Sequence, residues 1–469
     1  MSGKENKQVK EERREDNGRS EKAADVTQFD YVLMGVADMH GIPRGRIVSR
    51  ELVSRFCKEG LGIFQGVYHL VAGIENWGIN MEIPKQFPEY GQNANGAMMP
   101  QLEKVYSLKW SSTPGRSIGY TFCSMIMPNG QPDPACTRNT AQRQLDRLDK
   151  MGMKIMSAFE CEFMVFEGGD VAKPMGKGKL QYANLDLLDE DIDFFLDLMD
   201  VLRGSGLPVE LLNNEYDPGQ YEITMQPTYG MEAADSVFLL RYGVRAFSKR
   251  RGNEATFMAR PAYPQNANGF HLNHSLWTRD GQDVFFDASD PEKLSSFARH
   301  WLAGLLHHAP AICALVSPTV NCYQRLHEML APSEVFWSTS DRLSLVRVKS
   351  SQTGAYLENR VPSSACNPYL ALAATIAAGL DGVERKLACP PQGRSKGEVK
   401  SYLPKTMAEG LVELEKDTVL KEAIGTKVVE YFILLKRDFE VKHFENNSSS
   451  DMSRAEVIAQ ERKYYMPFI

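Results

Sequence analysis

The segment 154–167, KIMSAFECEFMVFE, constrains this chain more than any other. Side chains alternate faces along a strand, so Phe159, Cys161, Phe163 and Val165 line one side of it. Glu160 and Glu162 share the other with Met156, Ala158 and Met164. Two carboxylates rooted roughly 7 Å apart on one strand face repel each other. Solvent relieves an isolated pair; a buried pair needs hydrogen-bond donors or a cation. Carboxylate ligands suit Mg²⁺ or Mn²⁺ better than a soft metal.

Other segments repeat the pattern. In GFHLNHSLW, His271, Asn273 and Ser275 alternate with Leu272, His274 and Leu276. In AYLENR, Glu358 and Arg360 share a face, and in NNEYDPGQYE a Pro-Gly turn bends the chain between Glu215 and Glu222. Metal-type groups on several separate strands are harder to assign to a solvated surface than one pair is. A basic set accompanies them: Arg325, Arg342, Arg347 and Arg360. Guanidinium forks match carboxylate and phosphate oxygens. Acid-held cations beside arginines describe phosphoryl transfer, with a nucleotide activating a carboxylate. No GxxxxGK[ST] loop or kinase signature occurs, so the common nucleotide folds are excluded.

The organisation follows from length and pattern. A chain of 469 residues, 43% hydrophobic, exceeds one ordinary domain. Residues 1–27 mix both charge signs without a stable apolar pattern and are expected to be a disordered tail. Short apolar runs broken by Gly and Pro predict a small strand-rich unit over 28–113, with a boundary near Pro114-Gly115. Over 114–469 helices alternate with strands, the pattern of an α/β or α+β unit around one large sheet. Thr137 is the expected N-cap of one helix and Gly152 its stop, and LDEDIDFFLDLMDVLRGSG predicts another. A net charge of −6 without a basic stripe argues against nucleic-acid binding. Eight scattered cysteines with no CxxC predict reduced thiols in a cytoplasmic protein. The apolar run from Tyr369 to Leu380 is too short to span a bilayer, so no transmembrane segment is expected.

In order along the chain, VADMHGIPRGR (36–46), FECEF (159–163), NNEYDPGQYE, ATFMARP (255–261), NGFHLNHSLW and ENRVPSSACNPYLALAATIAAGLDG resemble the motifs of the glutamine synthetase family. The resemblance implies an α+β chain: an N-terminal β-grasp domain followed by a large catalytic α/β domain. It also implies a double-ring homo-oligomer, a dodecamer, with sites between adjacent subunits. Carried over by motif position, Glu162, Glu215 and Glu222 would hold one Mg²⁺ or Mn²⁺, and Glu160, His271 and Glu358 a second. Arg325 and Arg360 match glutamate-side arginines, and Arg342 and Arg347 those nearer the phosphates. Glu210 and Ser275 match positions near ATP.

Three departures concern the amine side. RLHEMLAP places Leu330, not an acid, before Ala331-Pro332, with Glu328 out of register. GIFQGVYH (62–69) stands where the family carries an acidic, ammonium-holding loop, and Ala267 replaces a glycine. WLAGLLHHAPAICALVSPTVNCYQRL and the ending YYMPFI resemble a vertebrate lens branch of the family. That branch implies a non-enzymatic scaffold or chaperone for intermediate filaments, with partners such as vimentin and the beaded-filament protein and a location at the cytoskeleton or membrane cortex. The sequence favours this role over an ATP-dependent glutamate–ammonia or glutamate–amine ligase of the glutamine synthetase or γ-glutamylpolyamine synthetase type. The retained ligand set is itself a departure from that branch.

Overall fold

The computed structural model describes residues 25–64, 66, 86–87, 95–111, 113–176, 182–328, 330–394 and 401–469. The expected tail lies almost wholly outside these residues, as do residues 65 and 67–69 of the 62–69 loop.

Among the described residues six strands form the first sheet: β1 (Tyr31–Ala37), β2 (Pro43–Ser49), β3 (Leu61–Phe64), β4 (Asn95–Pro100), β5 (Tyr106–Ser107) and β6 (Ile118–Ile126). Their order is β2-β1-β6-β4-β3, with β5 also on β6. Because β1 pairs in parallel with β6, this sheet runs on past the expected break at residue 113 to Ile126. Nine strands form the second: β7 (Met153–Glu167), β8 (Val209–Asn214), β9 (Gln220–Met225), β10 (Thr228–Tyr229), β11 (Asn253–Thr256), β12 (Phe270–Thr278), β13 (Trp337–Ser338), β14 (Val346–Ser350) and β15 (Ala355–Asn359). The order is β13-β14-β15-β12-β7-β9-β8, and β10 and β11 flank the ends of β7. The fold is thus mixed α/β with an N-terminal β-rich unit.

Strand β7 is the axis of the larger sheet, 15 residues long with its Phe159, Cys161, Phe163 and Val165 face fully buried. The helix Pro368–Glu384 is apolar nearly all round because it runs through the core. It crosses the helix Ser296–His307 at glycines: a Cβ on Gly304 would stand 2.1 Å from the Ala378 carbonyl oxygen, and one on Gly382 2.2 Å from that of His300. Among the described residues no helix is long and apolar enough to cross a membrane. The N-cap of the core helix, Asn367, accepts from the amides of Tyr369 and Leu370 and donates to the Asp38 carbonyl at 3.0 Å. That bond ties the VADMHG loop of the first sheet to the second unit. All eight cysteines are free, six of them buried.

Two helix boundaries differ from expectation. Thr137 is the first residue of its helix, and Cys136 takes the N-cap without a side-chain bond. The run predicted from Leu188 begins inside a short helix, Leu185–Asp189, and its main helix, Ile192–Gly204, starts only after Asp191.

Candidate active site

The strand register brings the acids together. Glu160 lies directly opposite His271 of β12, and Glu162 directly opposite Glu222 of β9. One strand further, Glu358 of β15 faces Asn273 of β12 and Arg347 of β14. Opposed residues in an antiparallel pair project on the same face, so these groups converge on a cavity of about 440 Å³. All six expected ligands line it, with Arg325, Arg342, Arg347 and Arg360.

His271 Nδ1 lies 2.9 Å from Glu160 Oε2 and 3.7 Å from Glu358 Oε1. Burial opposes ionisation of Glu160, but the His271 contact outweighs it and the pKa falls to about 2. Glu358 is also held below the usual range: burial opposes ionisation, while His271 and Arg360 outweigh it. Arg360 Nη1 donates to Glu358 at 2.5 Å, Arg347 Nη1 at 2.9 Å, and Lys349 Nζ lies 3.2 Å away. On the other side of β7 the balance reverses. Burial, and then the Glu162 carboxylate, push Glu215 and Glu222 well above the carboxylate range.

Glu160, His271 and Glu358 each offer a ligand atom within 4.8 Å of the others, and so do Glu162, Glu222 and His271. His271 Nε2 is buried without a hydrogen-bond partner. Carboxylate oxygens with one imidazole fit Mg²⁺ or Mn²⁺, and a divalent cation removes the repulsion that raises Glu215 and Glu222. Within 4.8 Å it is His271, not Glu215, that stands with Glu162 and Glu222. Glu215 lines the same cavity from the turn after β8, where Asn213 Nδ2 lies 3.3 Å from its carboxylate.

Two of the arginines are anchored by backbone. Arg325 donates to the carbonyls of Val361 and Arg360 at 3.0 and 2.9 Å, and burial lowers its pKa to about 10. Arg360 Nε donates to the Arg342 carbonyl at 2.9 Å. Arg342 itself is exposed at the rim. Gly269 marks a tight approach: a Cβ there would stand 2.9 Å from Glu162 Oε1, 3.0 Å from His271 Nε2 and 3.1 Å from Arg325 Nη2.

Glu210 and Ser275 do not line this cavity. They line an adjoining one of about 550 Å³, with Trp277 and Tyr356, and the two cavities share Glu160, Thr224 and Lys349. On the amine side, Leu330 lines the cavity with φ 67° and carries no proton acceptor. Glu328 also reaches the wall, but Arg454 Nη1 holds its carboxylate at 2.6 Å. Ala267 forms part of the wall beside Asn266. Sequence reasoning missed Lys349, Arg260, Tyr182 and Tyr216. Lys349 could have been found by strand period, two residues after Arg347; Tyr182 carries no local signal.

A family model described as "Glutamine synthetase, catalytic domain" matches residues 134–455. Lengsin of Rattus norvegicus is 28% identical over 90% of this chain and 74% of its own length. Glutamine synthetase of Thermus thermophilus is 33% identical over 67% of this chain and 74% of its own. Among solved structures, "Crystal structure of novel glutamine synthase homolog" superposes with a TM-score of 0.79 at 24% identity, covering 94% of this chain and all of that one. "GmaS/ADP complex-Conformation 1" does so with 0.78 at 24% identity, covering 90% and 95%. From the family match and these relatives, the chain belongs to the glutamine synthetase family.

Proposed function

We propose that this protein is a divalent-cation-dependent ligase that uses ATP to activate the γ-carboxylate of glutamate and passes it to an amine other than ammonia. The observation that carries the proposal is the convergence of six ligand side chains and four arginines on one cavity, in a charge balance that a cation resolves. Glu160, Glu162, Glu215, Glu222, His271 and Glu358 would hold two Mg²⁺ or Mn²⁺ ions, which supply charge neutralisation to the phosphates. Glu210 and Ser275 line the adjoining cavity and would face the nucleotide there. Arg325 and Arg360 suit the glutamate carboxylates, and Arg342 and Arg347 the transferred phosphoryl group. With Leu330 at the mouth and Glu328 committed to Arg454, neither position supplies an acid to accept the proton of ammonia. ADP release with Mn²⁺, glutamate and a panel of amines tests this. Release that needs glutamate and is weakest with ammonia is expected; none with any amine would remove the ligase.

Leu330 also favours a second role, and the Lengsin relatives support it. In this role the chain is a lengsin-like homo-oligomer, a cytoplasmic double ring of twelve that binds intermediate filaments such as those of vimentin and has given up turnover. Residues 1–27 would then supply salt-sensitive contacts, since exposed charges are screened within about 10 Å at 0.1 M salt. Co-sedimentation of full-length and 28–469 protein with assembled filaments, at low and high salt, tests it. Equal binding by both would remove the tail's role, and no binding by either would remove the scaffold.

A further inference from the structure

The outer end of the cavity is built differently from its floor. Tyr182 and Tyr216 stack there with ring centroids 5.3 Å apart and planes 19° from parallel. Leu211 and Leu330 line the same cavity. Within one subunit Tyr182 is 48% exposed, Leu211 44% and Leu330 36%, so this end presents apolar surface beside a highly charged floor. None of these four side chains contributes to the core cluster around β7. Glu215, Glu222 and Arg342 all act on Tyr182. With the two carboxylates holding cations, Arg342 is the cavity-lining charge that a chain lying on Tyr182 would meet.

We propose that the amine co-substrate is a primary amine bearing a neutral apolar or aromatic chain, whose body lies against Tyr182, Tyr216, Leu211 and Leu330 while its nitrogen points inward. This rests on the ligase function proposed above. The nitrogen lone pair forms the C–N bond to the phosphorylated γ-carboxyl, the C–O bond to phosphate breaks, phosphate leaves with that electron pair, and the amine proton passes to solvent. An offset aromatic pair and two leucines favour alkyl and aryl bodies by burial and stacking. A second ammonium on the chain would meet Arg342, so a diamine is the poorer substrate.

The experiment uses full-length protein with Mg²⁺, ATP and glutamate, and reads ADP release against ammonium, methylamine, n-butylamine, 2-phenylethylamine and 1,4-diaminobutane. We expect kcat/KM to rise at least about threefold for each buried methylene from methylamine to n-butylamine, with 2-phenylethylamine above ammonium and n-butylamine above 1,4-diaminobutane. Tyr216→Ala should flatten the series, chiefly through KM. Leu330→Glu should turn the preference toward small or cationic amines, which keeps the test sound if the alanine variant misfolds. Saturation-transfer NMR of 2-phenylethylamine on the Mg²⁺/ADP-loaded protein separates this inference from the ligase proposal. A transfer signal in the wild type that disappears in Tyr216→Ala, without turnover in either, sustains the amine site and removes the ligase. No transfer signal in the wild type, a flat amine series, or preference for ammonium or 1,4-diaminobutane overturns the inference.

Discussion

Glu162 of β7 and Glu222 of β9 are directly opposed in an antiparallel ladder, two carboxyl groups on one face. Such pairs destabilise a sheet unless something binds between them. The sheet therefore carries an electrostatic cost that a divalent cation offsets.

Mn²⁺ should raise the melting temperature of the wild type, since a ligand at a hundred times its Kd stabilises by about 2.7 kcal/mol. The double variant Glu160→Ala/Glu162→Ala should respond weakly or not at all. Equal shifts in both proteins would refute cation binding at this site.

Acidity modulates that response. Glu215 and Glu222 have folded pKa values raised above the unfolded carboxylate value by burial and by Glu162. Without a cation they are protonated on folding, so their contribution to stability falls as pH rises from the unfolded value through the folded ones. A cation must displace those protons, so its affinity rises with pH over the same interval. Calorimetric titration with Mn²⁺ in two buffers of different ionisation heat should show proton release, and a release of zero would contradict the raised values.

Gly269→Ala should spare the fold and damage the site. The added methyl meets Glu162, His271 and Arg325 at 2.9 to 3.1 Å, all side-chain ends around one point. Circular dichroism should match wild type while the Mn²⁺ melting shift shrinks by half or more. A full shift would show that these side chains make room without loss.

Wild-type protein should form little glutamine from ammonia. A missing general base commonly costs on the order of 10²-fold or more. Leu330→Glu should raise the ammonia-dependent rate by about tenfold or more, measured as glutamine by chromatography. Fast ammonia-dependent synthesis by the wild type would place the proton acceptor elsewhere.

His308 gives a separate pH signature. It is buried between Asp417, 2.5 Å from Nδ1, and Asp381, 2.9 Å from Nε2, with Arg385 on Asp381 and His307 adjacent. Burial opposes its charge, but the two carboxylates outweigh it and the pKa is raised. The stabilisation is thus complete below the unfolded value near 6.5 and is lost as pH rises through the folded one. His308→Gln should cost about 3 kcal/mol at pH 5.5 and less at pH 8.5, read by urea unfolding. An equal cost at both values would mean that His308 is not charged.

The strands of the site were legible because each carries its own period of two. The segments of β7, β9, β12 and β15 all stand where alternation placed them. Helix ends were less legible. Thr137 has the chemistry of a cap, but the chain enters its helix one residue earlier, and the Thr137 hydroxyl accepts from Asn367 Nδ2 at 3.3 Å instead. Glu215 lines the cavity with Glu162 and Glu222 and interacts electrostatically with both, as its motif position led one to expect.

By itself the sequence determined which chemical groups each strand presents and on which face, since alternation is a local property of the backbone. It determined too that Leu330 offers no proton acceptor, because side-chain chemistry needs no neighbour. Tertiary structure alone decided the pairing: His271 across from Glu160, Glu222 across from Glu162, and Arg347 across from Glu358. Register across a sheet depends on which faces the whole core buries, and no single segment contains that information. The same holds for Glu328, whose carboxylate is drawn aside by Arg454, 126 residues along the chain.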